Sequence, residues 1–254
     1  MPTLLLHPRY DDDTQLLWQE AVNRGWETVR SYYSGVDMAR WRAREGELAI
    51  YGGHMWALEV ARQTGVKLAS PAPAWLSTLP RELLGRQIVL CRLADVVSGN
   101  HPLSLRFPIF VKSLSWPQEF ASRVYHSVGD LPAGDPNLPV LASEVVRFER
   151  EFRFFCLDGA PVAWSPYARG AEGVLDTQLT RAEKPVMGMC LEWLADRLSG
   201  LDLPNSTVVD VGVLEPSAGV RRPVIVEANP AWCAGMYRCD PAKVLDVVRG
   251  CVSL

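Results

Sequence analysis

The chain has 254 residues, 48% of them hydrophobic, and a formal net charge of −3, which describes a soluble globular protein with room for one large or two small domains. No run approaches the unbroken apolar length of a membrane span, and the opening MPTLLLHPRYDDD turns acidic too soon for a secretion signal. The arginines are dispersed and form no basic stripe, so neither membrane nor nucleic acid is indicated as a partner, and a cytoplasmic location is expected.

Residues 3–7 are predicted as a short strand, about 14–25 as a helix and 26–33 as a second strand. ELAIYG (47–52) reads as a third strand, and 54–64 has helical periodicity closing at Gly65. Strands alternating with helices predict a small parallel α/β unit over residues 1–94. No G-x-G-x-x-G follows its first strand, so a dinucleotide fingerprint is absent. Residues 70–80, rich in Pro, Trp and Ser, read as a connection into 86–94. From Phe107 the character changes: PIFVKSL is strand-like, 132–139 is a Pro/Gly/Asp loop, and 141–157 is one long β-rich run. Asp158-Gly159 is a hairpin signal joining that run to 160–165. Amphipathic helices are predicted at 183–199 and 241–252. Residues 95–254 are therefore read as a second, α+β domain.

The six cysteines are scattered, with no C-x-x-C and no zinc-ligand spacing to the four histidines, so free structural thiols are expected, Cys233 and Cys239 included. Only four of the 26 basic residues are lysines, and Lys112 stands inside an apolar strand.

The stretch 223–230, PVIVEANP, places Glu227 and Asn229 two residues apart at the end of a strand-like run, on one face. Upstream, TVVDVGVL (207–214) is another such run, and the polar, Gly-containing 215–222 reads as a hairpin return. A turn centred near Ser217 and Ala218 sets Asp210 opposite Glu227. Two carboxylates and an amide oxygen on rigid backbone are the hard donors that suit Mg²⁺ shared with a phosphate, and the metal alone is expected to offset their charge. The alternative is a strand end with its polar residues in solvent.

Period-2 alternation puts Lys112 on one face with Phe110, and Glu151 on one face with Arg153. Lys112 either snorkels to water or meets a phosphate. Glu151 and Arg153 either form an ion pair or separate their tasks, the acid accepting ribose hydroxyls and the guanidinium clamping a phosphoryl group or carboxylate.

The ordered set FPIFVKS (107–113), SEVVRFEREFRFFCLDG (143–159), SPY (165–167), VVDVG (208–212) and VEANPAWCAGMY (226–237) resembles the ATP-grasp superfamily of carboxylate–amine ligases. It is most similar to the small clade of that superfamily named for an arginine-to-lysine exchange. The first 90 residues are similar more loosely, through YGG (51–53) and WLSTLP (75–80). The resemblance implies an N-terminal α/β domain followed by two lobes whose antiparallel sheets clamp ATP. It assigns Lys112 to the α- and β-phosphates, the backbone of Glu144, Val145 and Val146 to the adenine edge, and Glu151 to the ribose. Arg153 falls near the γ-phosphate, and Asp210, Glu227 and Asn229 become Mg²⁺ ligands. The family commonly places a second basic residue soon after the first lysine, yet residues 113–131 hold no lysine; Arg123 or backbone N–H groups would take its place.

The implied reaction activates a small-molecule, amino-acid or peptide carboxylate as an acyl-phosphate, with ADP released, and an amine then attacks to form an amide. A nucleotide-binding module without ligase activity, and a phosphotransferase with a stable phosphorylated product, are the alternatives. Tyr167, Arg169, Trp232, Tyr237 and Arg238 are candidate substrate contacts because they lie in or beside loops on the rigid scaffold. His54 and His126 are candidate bases, with a structural or surface role as the alternative.

Overall fold

In a computed structural model, which describes residues 1–32, 47–100, 106–115, 118–170, 174–217 and 220–254, the chain begins with a parallel sheet. Its strands β1 (Thr3–Leu6), β2 (Glu27–Arg30) and β3 (Leu48–Tyr51) run in the order β2-β1-β3. Helix α1 (Asp12–Asn23) connects the first two. It starts where Asp11 accepts from the Thr14 amide at 2.8 Å while the Thr14 hydroxyl accepts from the Asp11 amide at 3.2 Å, a reciprocal cap of about 1 kcal/mol. Helix α2 (His54–Thr64) ends at Gly65, as its periodicity predicts. Tyr33, the expected end of the second strand, lies outside the described residues.

After the short strand β4 (Lys67–Leu68) and helix α3 (Arg81–Leu84), β5 (Ile88–Arg92) enters a different sheet. With β6 (Ile109–Ser113), β7 (Arg123–Tyr125) and β8 (Pro139–Glu144) it forms an antiparallel set ordered β5-β8-β6-β7. Helix α4 (Leu93–Ser98) covers one face, burying Leu93 and Val96 against Ile109, Val111 and Val140. Since β5 bonds to β8, we propose that the second unit starts ahead of Ile88.

The run 141–157, read as one stretch, is two strands in two sheets: β8 ends at Glu144 and β9 (Phe148–Leu157) begins a five-stranded sheet. That sheet is ordered β11-β10-β9-β12-β13, with β10 (Ala160–Arg169), β11 (Val174–Leu175), β12 (Ser206–Ser217) and β13 (Val220–Asn229). Asp158 and Gly159 turn β9 into β10 with φ of 50° and 77°, the pair of positive values a two-residue primed turn requires.

Helix α5 (Lys184–Leu198) packs Cys190, Leu194 and Leu198 on the Phe152 and Phe154 face. The other face receives α6 (Pro241–Gly250), whose Val244, Leu245, Val247 and Val248 fill the space between it and the parallel sheet. The chain closes with β14 (Val252–Ser253), paired to β4. All six cysteines are free thiols, as expected. Among the described residues, no helix is long and apolar enough to cross a membrane.

Candidate functional site

The uncovered face of the four-stranded sheet and the five-stranded sheet enclose a cavity of about 530 Å³, a size suited to a small-molecule ligand. One end is apolar, with Leu76, Ile88, Phe110 and Val146; the other presents Lys112, Glu151, Tyr167, Glu227 and Asn229. Glu144, Val145 and Val146 line it where the chain passes from β8 to β9. The Glu144 carboxylate accepts from the Gln87 amide at 2.7 Å, so this passage is tied to the segment 84–88 that crosses beside it. Lys112 and Phe110 face the cavity while Ile109 and Val111 are buried behind them, as the alternation predicts.

The hairpin holds the expected register, with Asp210 opposite Glu227. Its return is tighter than 215–222, because β12 and β13 pair as far as Ser217 and Val220; Ala218 lies outside the described residues. The two acids are not left to a metal for charge balance, contrary to expectation. Lys112 Nζ reaches Glu227 Oε2 at 2.8 Å, and Arg153 donates Nε to Asp210 Oδ1 at 2.8 Å and Nη2 to Oδ2 at 2.7 Å. Asn229 Nδ2 bridges them, donating to Glu227 Oε1 at 2.9 Å and Asp210 Oδ2 at 3.3 Å. Burial raises the Glu227 carboxyl, but Lys112, Asn229 and Arg153 outweigh it and hold Glu227 at about 2. Asp210 is fully buried, and that burial pushes its carboxyl up against the pull of Arg153.

Tyr167 interrupts the β9–β10 ladder, which slips between Pro166 and Ala168, and its hydroxyl donates to Glu151 Oε2 at 2.7 Å. Its ring stacks on Tyr237 with centroids 5.3 Å apart. The Arg153 guanidinium lies 5.1 Å from one ring and 4.8 Å from the other, and its Nη1 donates to the Gly235 carbonyl at 3.1 Å. Tyr237 and Arg238 carry φ of 47° and 70°, a left-handed turn that non-glycine residues seldom adopt; the Ser165 hydroxyl donates to the Tyr237 carbonyl there.

Other candidates go elsewhere. Arg123 sits on the reverse face of its sheet, 4.9 Å from the Tyr125 ring, because β7 pairs Val124, not Arg123, with Phe110. Arg169 is spent on Asp176 at 2.7 Å and Glu183 at 2.8 Å. Trp232 is fully buried, donating to the Ala69 carbonyl at 2.8 Å, with the His54 ring 5.1 Å away. Arg238 and His126 are exposed.

Two features escaped the sequence reading. Arg86 lines the nucleotide-sized cavity from the crossing segment. A second cavity of about 250 Å³ opens at the carboxyl ends of β1 and β3, lined by His7, Arg9, Asp13, Tyr51, Cys233 and Gly235. Asp13 accepts from the Met236 amide at 2.8 Å, so the loop after β13 is held by Asp13 on this side and by Arg153 on the other. Ligands of open parallel sheets bind at such strand ends.

Among the described residues, no three His, Cys, Asp or Glu side chains gather as a metal cluster. The donor set is instead two carboxylates and an amide, all hard oxygens, which fits Mg²⁺ once Arg153 frees an Asp210 oxygen. Two lobes of antiparallel sheet around a cavity with a lysine, an arginine and this donor set define a nucleotide-clamping fold of the ATP-grasp class. The second ATP-grasp domain family of the clade named for an arginine-to-lysine exchange matches residues 83–247, and the chain belongs to that family.

Solved structures agree on the fold. A RimK domain protein ATP-grasp from Sphaerobacter thermophilus is 14% identical, with 98% of this chain and 97% of that chain covered and a TM-score of 0.53. N5-carboxyaminoimidazole synthase from Aspergillus clavatus, in complex with ADP and its ribonucleotide, is 10% identical, with 98% and 76% covered and a TM-score of 0.57. D-alanine–D-alanine ligase from Bacillus anthracis, complexed with ATP, is 10% identical, with 99% and 96% covered and a TM-score of 0.52. A comparison with curated proteins by sequence finds no match.

Proposed function

We propose that the protein is an ATP-dependent carboxylate–amine ligase that activates a small-molecule, amino-acid or peptide carboxylate as an acyl-phosphate, releases ADP and phosphate, and forms an amide. The observation that carries this reading is the pairing of each cavity cation with one carboxylate of the β12–β13 hairpin. A polyphosphate can take over Lys112 and Arg153 while the freed acids turn to a cation, so charge stays balanced throughout. Mg²⁺, when bound, would neutralise and orient the phosphates.

The chain's own residues do the rest. Lys112 binds the α- and β-phosphates, and Glu151, held by the Tyr167 hydroxyl, receives the ribose. Arg153, fixed by the Tyr167 and Tyr237 rings, meets the charge that develops at the transferring group. The co-substrate lies towards the second cavity, across the loop that Arg153 and Asp13 hold. That two of the structural relatives named above are, by name, a ligase and a synthase supports the class of reaction.

The test is a screen of amino-acid and peptide pools with ATP, Mg²⁺ and hydroxylamine. The expected products are a hydroxamate and stoichiometric ADP, with Arg153→Ala slowing the reaction by about 10³-fold or more, the scale for an arginine aimed at a transferring phosphoryl group. AMP with pyrophosphate would refute the acyl-phosphate. A stable phosphorylated product indifferent to amines would indicate a phosphotransferase, and ATP binding with no turnover in any pool a binding module.

A further inference from the structure

We infer that Arg86 is a positioning residue: it pins a β-bulge at Val226 and so aims Glu227 and Asn229 into the cavity. The inference rests on the reading of those two side chains as the cation-binding end of the site.

The strand pairing locates the bulge. Asp210 lies opposite Glu227 and the next residue, Val211, opposite Ile225, so Val226 is an extra residue on β13 with no partner on β12. An extra residue takes its carbonyl out of the ladder, and a buried carbonyl needs another donor. Arg86 supplies it: Nη2 donates to the Val226 carbonyl at 2.9 Å, and Nη1 to the carbonyls of Ile225 and Leu84, each at 3.0 Å. In a regular strand successive carbonyls point to opposite edges, so one guanidinium takes Ile225 and Val226 together only where the strand is bulged.

The bulge decides where the acid and the amide point. Side chains alternate with period 2, so a slip of one residue would turn Glu227 and Asn229 to the other face of the sheet. Lys112 would then lose its 2.8 Å contact with Glu227. Both residues lie just beyond the clamp, and nothing between them and Arg86 is flexible loop.

Arg86 is itself held rigidly. It is 7% exposed, its guanidinium lies 5.7 Å from the Phe148 ring, and Gly85 beside it has φ 65°. A Cβ on Gly85 would stand 2.6 Å from Leu214 and 2.9 Å from Val224, so the crossing segment is pressed against the same hairpin. Its donors go to main-chain carbonyls, and the compensating charge comes from Glu151 and Glu227 at longer range; burial draws the guanidinium down to about 10. A buried cation spent on carbonyls is costly unless the geometry it enforces is used. The next residue, Gln87, donates to Glu144, so the clamp also links the bulge to the passage between the lobes.

The test compares Arg86→Met and Arg86→Lys with the wild type in calorimetric titrations of ADP, with Mg²⁺ and with chelator, alongside a crystal structure of each variant. The expected result for Arg86→Met is unchanged affinity for metal-free ADP, a fall of about 10- to 100-fold in the gain conferred by Mg²⁺, the scale for losing a group that orients metal ligands, and a broken Lys112–Glu227 contact. Arg86→Lys, which reaches fewer carbonyls, should fall between the two, and it alone decides the matter if Arg86→Met does not fold. A bulge and a Mg²⁺ gain both intact in the folded variants would overturn the inference. An equal loss of metal-free ADP affinity would do so too, since Arg86 would then be a direct nucleotide contact. Wild-type protein whose ADP affinity ignores Mg²⁺ would instead refute the metal reading of the site, and the variant structures would still decide the role of Arg86.

Discussion

Arg153 grips Asp210 with two hydrogen bonds of 2.8 and 2.7 Å, at a position where the acid has no exposed surface and the arginine very little. The pair joins β9 to β12 across the middle of the large sheet, where the two residues are direct neighbours. Breaking one side of it leaves a charge in the protein interior, whereas removing both does not. Arg153→Ala is therefore expected to lower the stability of the ligand-free protein by about 3–5 kcal/mol, with much of that recovered in Arg153→Met/Asp210→Leu. Urea unfolding of the two variants is the check; equal stabilities would contradict a tightly paired Asp210.

Lys112 holds the other acid in a half-exposed setting, so its loss should be felt in binding more than in folding. Lys112→Met should weaken ATP binding by about 1–3 kcal/mol, the scale of a charge-assisted hydrogen bond in a partly closed site. Calorimetry that returns wild-type affinity would move the lysine to a structural role, that of partner to Glu227.

Glu227→Gln keeps the shape of the side chain and its contact with Asn229 while removing the charge. It should fold normally, lose most of the Mg²⁺ dependence of nucleotide binding and lose turnover. Retention of both would remove Glu227 from the donor set.

The Tyr167–Glu151 contact carries a pH signature. Burial raises the Glu151 carboxyl and the Tyr167 hydroxyl works against it, so Tyr167→Phe should raise it further. A carboxyl raised in the folded state contributes stability below its unfolded pKa and loses that contribution as pH climbs through the folded value. The variant should thus be less stable than wild type at neutral pH, by about 1 kcal/mol, with the gap closing as the medium is acidified through the range in which Glu151 takes up its proton. Denaturation curves at a series of pH values test this, and a gap independent of pH would mean that the hydroxyl serves packing alone.

Much of the site could be read from residue order because the hairpin obeys simple alternation. Period 2 and a polar return between two apolar runs were enough to set Asp210 against Glu227 and to put Lys112 on the cavity face. Arg123 shows where that logic fails: β7 is a three-residue strand, too short for its own pattern to declare which face is covered by α4. The break between β8 and β9 was hidden because β-forming residues continue through Val145 and Val146 while the chain changes sheets. Arg86 left no trace either, since a cation ahead of an apolar strand looks like any other, and its carbonyl partners lie about 140 positions away. The pairing of each cation with an acid depends on distances between sheets, which no pattern within one strand encodes.

Helix α6 fills the gap between the parallel sheet and the large sheet, and Arg24 on the first helix meets Asp246 on it at 2.5 Å, across 222 residues of chain. The first unit therefore has a seam that only a late-synthesised segment can close. As the chain leaves the ribosome, β1, β3 and α2 must wait with one apolar side uncovered until residues 241–250 arrive. The order of assembly runs from the nucleotide-binding lobes outward, and the segment made first is among the last to be sealed.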